Sequence, residues 1–246
     1  MNKENIWLGF FVNMLGIILG IIITFGSNAL WQQYEEQKRT REMLILVRNE
    51  LITNKHFFKY QEKTMQKERL VFKKILEAEK AWSTIPEDTL KAYRSAIRNF
   101  SMSTLTTSAW QIFQNSEMIQ KMSNKELVIM LTETYFAINA SYDLIMKFYW
   151  DKKLQAIPSE IDVYDFFDAW IDNKESLILV HAFSQEDFLQ TLFVTIDAII
   201  DFNILLLDRY GDFKYDTNET EEEFKTFYQT RLDSVLLLSQ NTNRTP

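Results

Sequence analysis

The chain has 246 residues, 46% hydrophobic and 25% charged, with a formal net charge of −7, a composition that suits one globular body with an appendage. Five Gly and three Pro are too few for the regular turns of a sandwich, barrel or doubly wound sheet, so long helices with few breaks are expected. The absence of Cys excludes disulfide scaffolds, thiolate metal sites and cysteine nucleophiles, and two histidines, His56 and His181, leave little room for triad or histidine-metal chemistry.

The first element runs from Ile6 to Phe25, where only Asn13 and Thr24 are polar. About 20 residues at 1.5 Å each cover a bilayer core of roughly 30 Å, so this stretch reads as a transmembrane helix. Ser27-Asn28-Ala29 offers the competing reading of a cleaved signal peptide, but the apolar run exceeds the usual h-region and the n-region is barely basic. Gly9, Asn13, Gly16, Gly20 and Thr24 share one helix face. There the small residues allow close backbone approach and Asn13 offers a hydrogen bond, which makes this face a candidate seam for self-association. Lys38, Arg39 and Arg41 follow the span while Lys3 alone precedes it, so the positive-inside rule favours a cytoplasmic body. The lack of Cys pulls weakly toward an oxidising compartment.

From Trp31 to about Ala81 there is no Pro or Gly, and the stretch is rich in good helix formers. Trp31 and Tyr34 suit the interfacial belt, so helix is expected to continue out of the membrane without a break. Leu44, Leu51, Phe58, Met65 and Phe72 recur every seventh residue, whereas the positions three further on are Val47, Asn54, Gln61, Glu68 and Ile75. A two-stranded coil wants both rows apolar. The row therefore has two readings, a continuation of the oligomerisation face or, favoured, a stripe packed on the chain's own helices. Residues 31 to 80 carry 12 Lys or Arg against 8 Asp or Glu, and residues 151 to 246 carry 8 against 19. Opposite charge favours docking of the two parts. The basic helix could also meet anionic lipid headgroups, and nucleic-acid binding is not expected.

Ser83 to Asp88 reads as a loop and helix start, with Thr84 as N-cap and Pro86 early in the first turn, followed by a short helix to about Asn99. A Ser/Thr cluster from Ser101 to Ser108 precedes a second short helix near Ala109 to Asn115. Asn124-Lys125-Glu126 opens a long helix to about Leu154, Pro158 starts the next, and Ser184 caps another that ends at Gly211. An acidic loop from Asp212 to Glu221, a last helix to about Ser239 and a frayed tail complete the chain. Phe188 to Leu207 is apolar enough to invite comparison with the first span, but Asp197 and Asp201 each cost about 2.5–3.5 kcal/mol in a membrane, so a core helix is expected.

Candidate chemistry is sparse. Asp162, Asp165, Asp168 and Asp172, and the pair Asp197 and Asp201, could hold a hard cation through oxygen alone. A solvated acidic face is the simpler reading, and no catalytic, metal or cofactor set is assigned. No Gly-rich phosphate loop, G-x-S-x-G or H-E-x-x-H occurs.

Three features together carry a resemblance. They are the glycine-spaced span, the Glu50-Leu51-x-x-Asn54 element on the helix after Trp31, and Thr106-Thr107-Ser108-Ala109-Trp110-Gln111-Ile112-Phe113-Gln114-Asn115-Ser116 leading through Ile119 to Asn124-Lys125-Glu126-Leu127. Over roughly residues 6 to 150 the chain resembles a group of bacterial single-span membrane proteins with an uncharacterised helical domain. Glu117 stands where such proteins often have Gly, and the basic N-terminal tail of many members is reduced to Lys3. The resemblance implies architecture and no activity.

The expected architecture is all-α, with a tail and transmembrane helix over 1–30, a juxtamembrane helix over 31–82 and a helical body over 83–246. The expected function is a single-pass inner-membrane module that binds a protein partner or transmits a signal, as an oligomer and without cofactor. A membrane-tethered hydrolase or metal enzyme, and a membrane-perturbing effector, are the alternatives.

Overall fold

The structure, a computed structural model, describes residues 3–100, 104–122, 124–159 and 162–211. Those residues are helical throughout apart from short connections, with no strand. The expected last helix and acidic loop beyond Gly211 lie outside the described residues, as do the side chains of Gly9 and Asn13.

One helix organises everything else. Helix α1 runs unbroken from Lys3 to Ala78, 76 residues, or roughly 110 Å. It has no proline, and its glycines all lie in the N-terminal apolar stretch. Its side chains from Met14 to Tyr34 are exposed wherever they are described, and burial begins at Leu44. The helix ends at Glu79 and Lys80, both in the left-handed region (φ 45° and 67°), which explains why it stops three residues short of Ala81. A β-carbon makes that conformation costly, and glycine is the usual occupant.

Around the second half of α1 pack α2 (Glu87–Arg98), α3 (Ser108–Gln114), α4 (Glu117–Lys121) and α5 (Lys125–Asp143). A π-helical segment (Leu144–Trp150) leads directly into α6 (Asp151–Ala156), followed by α7 (Val163–Asp172), α8 (Lys174–Phe183) and α9 (Glu186–Gly211). The single helix expected to about Leu154 is thus continuous but carries a wider turn in its middle. The helix expected after Pro158 is two, split at Asn173, whose side chain accepts from the backbone of Glu175 and Ser176. Thr84 does not cap α2. Its hydroxyl bonds Ala81 O, and Pro86 stands at the N-cap position.

Leu44, Leu51, Phe58, Met65 and Phe72 are between 0 and 7% exposed, inside the chain's own core. The heptad row is buried in the body, as the favoured reading has it, with Phe72 stacked on Trp170 at 5.6 Å. Gly16 and Gly20 meet no other atom where a β-carbon would stand, so of the expected oligomerisation face these two described positions remain open.

Among the described residues two helices are long and apolar enough to cross a membrane: the first part of α1, whose most apolar stretch is not buried, and α9, a third of whose most apolar stretch is buried. Helix α9 lies antiparallel on α1. Arg48 pairs with Asp208, Lys55 with Asp201 and, at 3.5 Å, Asp197, and Arg69 with Glu186 at 3.1 Å. Seven residues along α1 match seven back along α9, so the two helices stay in step. Burial alone would lower the Lys55 ammonium, but its hydrogen bond to Asp201 and the charge of both aspartates outweigh that and hold it above its ordinary value. The aspartates that argued against a second span thus make the contacts that seat α9 on α1. The docking of a basic onto an acidic part, anticipated from charge, takes this form.

Candidate functional site: a buried polar row on the long helix

Between the apolar positions of α1, one further row is buried and polar: Glu50, Asn54, Gln61 and Glu68, each 6% exposed or less. Asn54, Gln61 and Glu68 are the residues that spoil the second row of a coiled coil. Each has a specific partner, because a buried polar group without one costs several kcal/mol.

Glu50 takes the N-terminus of α3. Its carboxylate accepts from the backbone N–H of Ala109 (2.8 Å) and Trp110 (3.1 Å) and from the Tyr135 hydroxyl (2.7 Å). Thr107, at the N-cap position of α3, makes no capping bond, so an anion on a neighbouring helix satisfies donors that a local cap would normally take. Tyr135 in turn stacks flat on Trp110, 5.0 Å between centroids and 6° between planes. Burial, then the hydrogen bond and charge of Glu50, raise the Tyr135 hydroxyl far above its ordinary range, so it stays a donor. One turn further on, the Asn54 amide donates to Thr106 O (2.7 Å) and accepts from Thr106 N–H (3.0 Å). This side chain pairs with a backbone as a neighbouring strand would. Glu50-Leu51-x-x-Asn54 and Thr106-x-x-Ala109-Trp110, the two segments singled out in the sequence, are the halves of one contact.

The lower half of the row holds the other end of the body. Gln61 accepts from the Trp150 indole at 3.2 Å. Glu68 accepts from the Lys153 ammonium at 2.7 Å and from the Tyr149 hydroxyl. Lys153 also donates to Asn99 O (2.8 Å) and Ala96 O (3.4 Å) at the C-terminus of α2, where carbonyls lack partners and a cation is favoured. The rings of Trp150, Phe100 and Tyr149 surround the ammonium at 4.6, 5.2 and 5.8 Å. Burial lowers the Lys153 ammonium, against the pull of Glu68, and raises the Glu68 carboxyl, against the pull of Lys153. Desolvation thus drives the pair toward neutrality, while direct contact favours the charged forms. Tyr149 and Trp150 close the π-helical segment, a geometry that tends to mark sites under special constraint.

An acid, an amine and a phenol in contact could in principle relay a proton, but here the donors are spent on fixed partners. A shallow open depression lined by Ala92, Ser95, Ala96, Arg98 and Asn99 lies at the same end of α2, and the carbonyls of Ala96 and Asn99 are already taken by Lys153. The row acts as a set of bolts. Glu50 and Asn54 fix α3 and α5 to α1, and Gln61 and Glu68 fix the π-helical segment, α6 and α2.

Of the acidic residues weighed as cation ligands, Asp165 is exposed and the others are engaged elsewhere. Asp162 caps α7 through Tyr164 N and Asp165 N, Asp168 accepts from the Trp82 indole at 2.7 Å, and Asp172 pairs with Lys80. Asp197 and Asp201 share Lys55. Among the described residues no three His, Cys, Asp or Glu side chains cluster as a metal site. His56 and His181 are exposed. The sequence reading missed Lys153 and Tyr149. The available signal was polar residues recurring on the core face of α1, each of which requires a buried partner. The chain matches no protein-family model, no curated protein and no solved structure.

Proposed function

We propose that this chain is a single-pass membrane-anchored helical protein that works as a protein-interaction or signal-transmitting module of the inner membrane, allied to the bacterial single-span proteins it resembles. The observation that carries the reading is the continuity of α1. One uninterrupted helix supplies both an apolar stretch that is exposed wherever it is described from Met14 to Tyr34 and the central core strut of the body. A displacement or rotation of the outer end is delivered to the body without a flexible joint, because helix continuity removes the soft dihedrals a linker would offer. The buried polar row supports the same reading, since it pins five other segments to that strut. Engagement of the acidic helices in ion pairs and caps ranks this reading above a membrane-tethered enzyme. Association of spans through Gly16 and Gly20, and a cytoplasmic body, complete the proposal.

The test is in-vivo photo-crosslinking from exposed body positions such as Tyr60 and Phe136, combined with insertion of a four-residue Gly-Ser joint after Tyr34. A reproducible protein adduct whose yield changes with the joint supports transmission through α1. Adducts indifferent to the joint, in a chain that carbonate extracts from membranes, would refute it.

A further inference from the structure

Helix α5 passes into α6 through the π-helical segment Leu144–Trp150. A π turn holds more residues than an α turn, so whatever follows it is set back around the helix axis. Here that setback brings Trp150 onto Gln61, and Tyr149 and Lys153 onto Glu68. Helix α5 is anchored separately, through buried Leu127, Leu131 and Ile138. The wider turn reconciles the two sets of contacts.

Relaxing the segment to α geometry by one residue turns α6 by about 100°, and the sequence is matched to that slip. Lys152 then takes the place of Lys153, so Glu68 keeps an ammonium instead of being stranded, the outcome a buried carboxylate tolerates least. Tyr149 takes the place of Trp150, and its hydroxyl replaces the indole as donor to Gln61. Phe148 takes the place of Tyr149 against Phe183, which both rings already approach, at 5.9 and 4.7 Å. The seating seen here is the favoured one. In the other, Glu68 loses the Tyr149 hydroxyl and Trp150 moves out to the place of exposed Asp151. Glu175 of α8, now paired with Lys152, meets Asp151 instead.

We infer that the π-helical segment is a one-residue register switch, in which Phe148–Lys153 has a second seating on the polar row of α1 with Lys152 on Glu68. Passage between the seatings exchanges an ion pair for a like-charge contact between α6 and α8. Gln61 and Glu68 lie on α1 itself, so a shift of that helix biases the choice between two discrete packings and α8 receives the result. The inference stands on the geometry of the body, independently of whether the apolar stretch crosses a membrane.

Because the chain has no Cys, each seating can be trapped as a disulfide in the full chain in native membranes, by mild oxidation read with peptide mass spectrometry. Lys152→Cys with Glu175→Cys reports the seating seen here, and Asp151→Cys with Glu175→Cys reports the slipped one. The first pair should bridge fast and the second slowly. Tyr149→Phe removes a hydroxyl that favours the first seating and should speed the 151–175 bridge about tenfold. Deleting Lys147, which is exposed and pairs with Asp143 on its own helix, removes the extra residue. That deletion should keep the 152–175 bridge and abolish the 151–175 bridge. Three results would overturn the inference: no 151–175 bridge in any background, a 151–175 bridge that survives the deletion and so reports mere proximity, or a deletion variant that lacks the 152–175 bridge.

Discussion

Replacing Lys153 with Met removes the ammonium and keeps most of the volume, leaving Glu68 at 3% exposure with Tyr149 as its remaining hydrogen-bond partner. Breaking one side of a buried pair costs about 3–5 kcal/mol. Asn99 O and Ala96 O also lose a donor, and Trp150, Phe100 and Tyr149 lose a cation, which places the cost toward the upper end. The pH dependence has a defined sign. Burial already raises the Glu68 carboxyl, and without Lys153 nothing opposes that shift except Tyr149. A carboxyl whose folded value lies above its unfolded one binds a proton more tightly when folded, so stability falls as pH rises from the unfolded value through the folded one. Lys153→Met should therefore be least damaging near pH 5 and most damaging near pH 8. In the double variant Lys153→Met, Glu68→Leu no charge is stranded, and most of the loss should be recovered. Denaturant unfolding of the detergent-solubilised chain, followed by tryptophan fluorescence at both pH values, measures all three. A single-variant cost under about 1 kcal/mol at pH 8, or a double variant no better than the single, would refute the reasoning.

Asn54→Leu strands both backbone groups of Thr106 and should cost about 2–3 kcal/mol, with faster hydrogen exchange confined first to the Thr106–Trp110 stretch. Glu79→Gly relieves a left-handed residue and should leave stability unchanged or raise it by up to about 1 kcal/mol in thermal unfolding, since its side chain bonds nothing among the described residues. Gly16→Ile with Gly20→Ile should weaken crosslinking between copies in native membranes and leave the unfolding of the body untouched, because both positions are open in the chain itself. Leu51→Asp should abolish folding by burying an unpaired charge, with loss of protease resistance as the readout.

The all-helical body and the uninterrupted first helix were legible because Gly and Pro are scarce and the periodicity is strong. The core role of α9 was legible from Asp197 and Asp201. The left-handed stop at Glu79 and Lys80 was not, because neither residue type favours that conformation. Splitting at Asn173 gives two short helices where one pattern runs through, and the asparagine was the cue that went unread. Three of the four residues of the polar row were visible as missing apolar positions, at Asn54, Gln61 and Glu68. Its partners were not, because the pairings between α1 and Thr106, Trp150 and Lys153 are between residues far apart in sequence, and spacing carries no information about them.

The central claim is that α1 alone spans the bilayer and carries the body on one side of it. Because the chain has no Cys, single cysteines placed by Ile17→Cys, Tyr60→Cys and Val194→Cys, all exposed in the structure, can be labelled with a membrane-impermeant maleimide in oriented vesicles. The account predicts that position 17 is shielded while 60 and 194 react from the same side. Shielding of position 194 alongside 17, or ready labelling of position 17 in intact membranes, would contradict it.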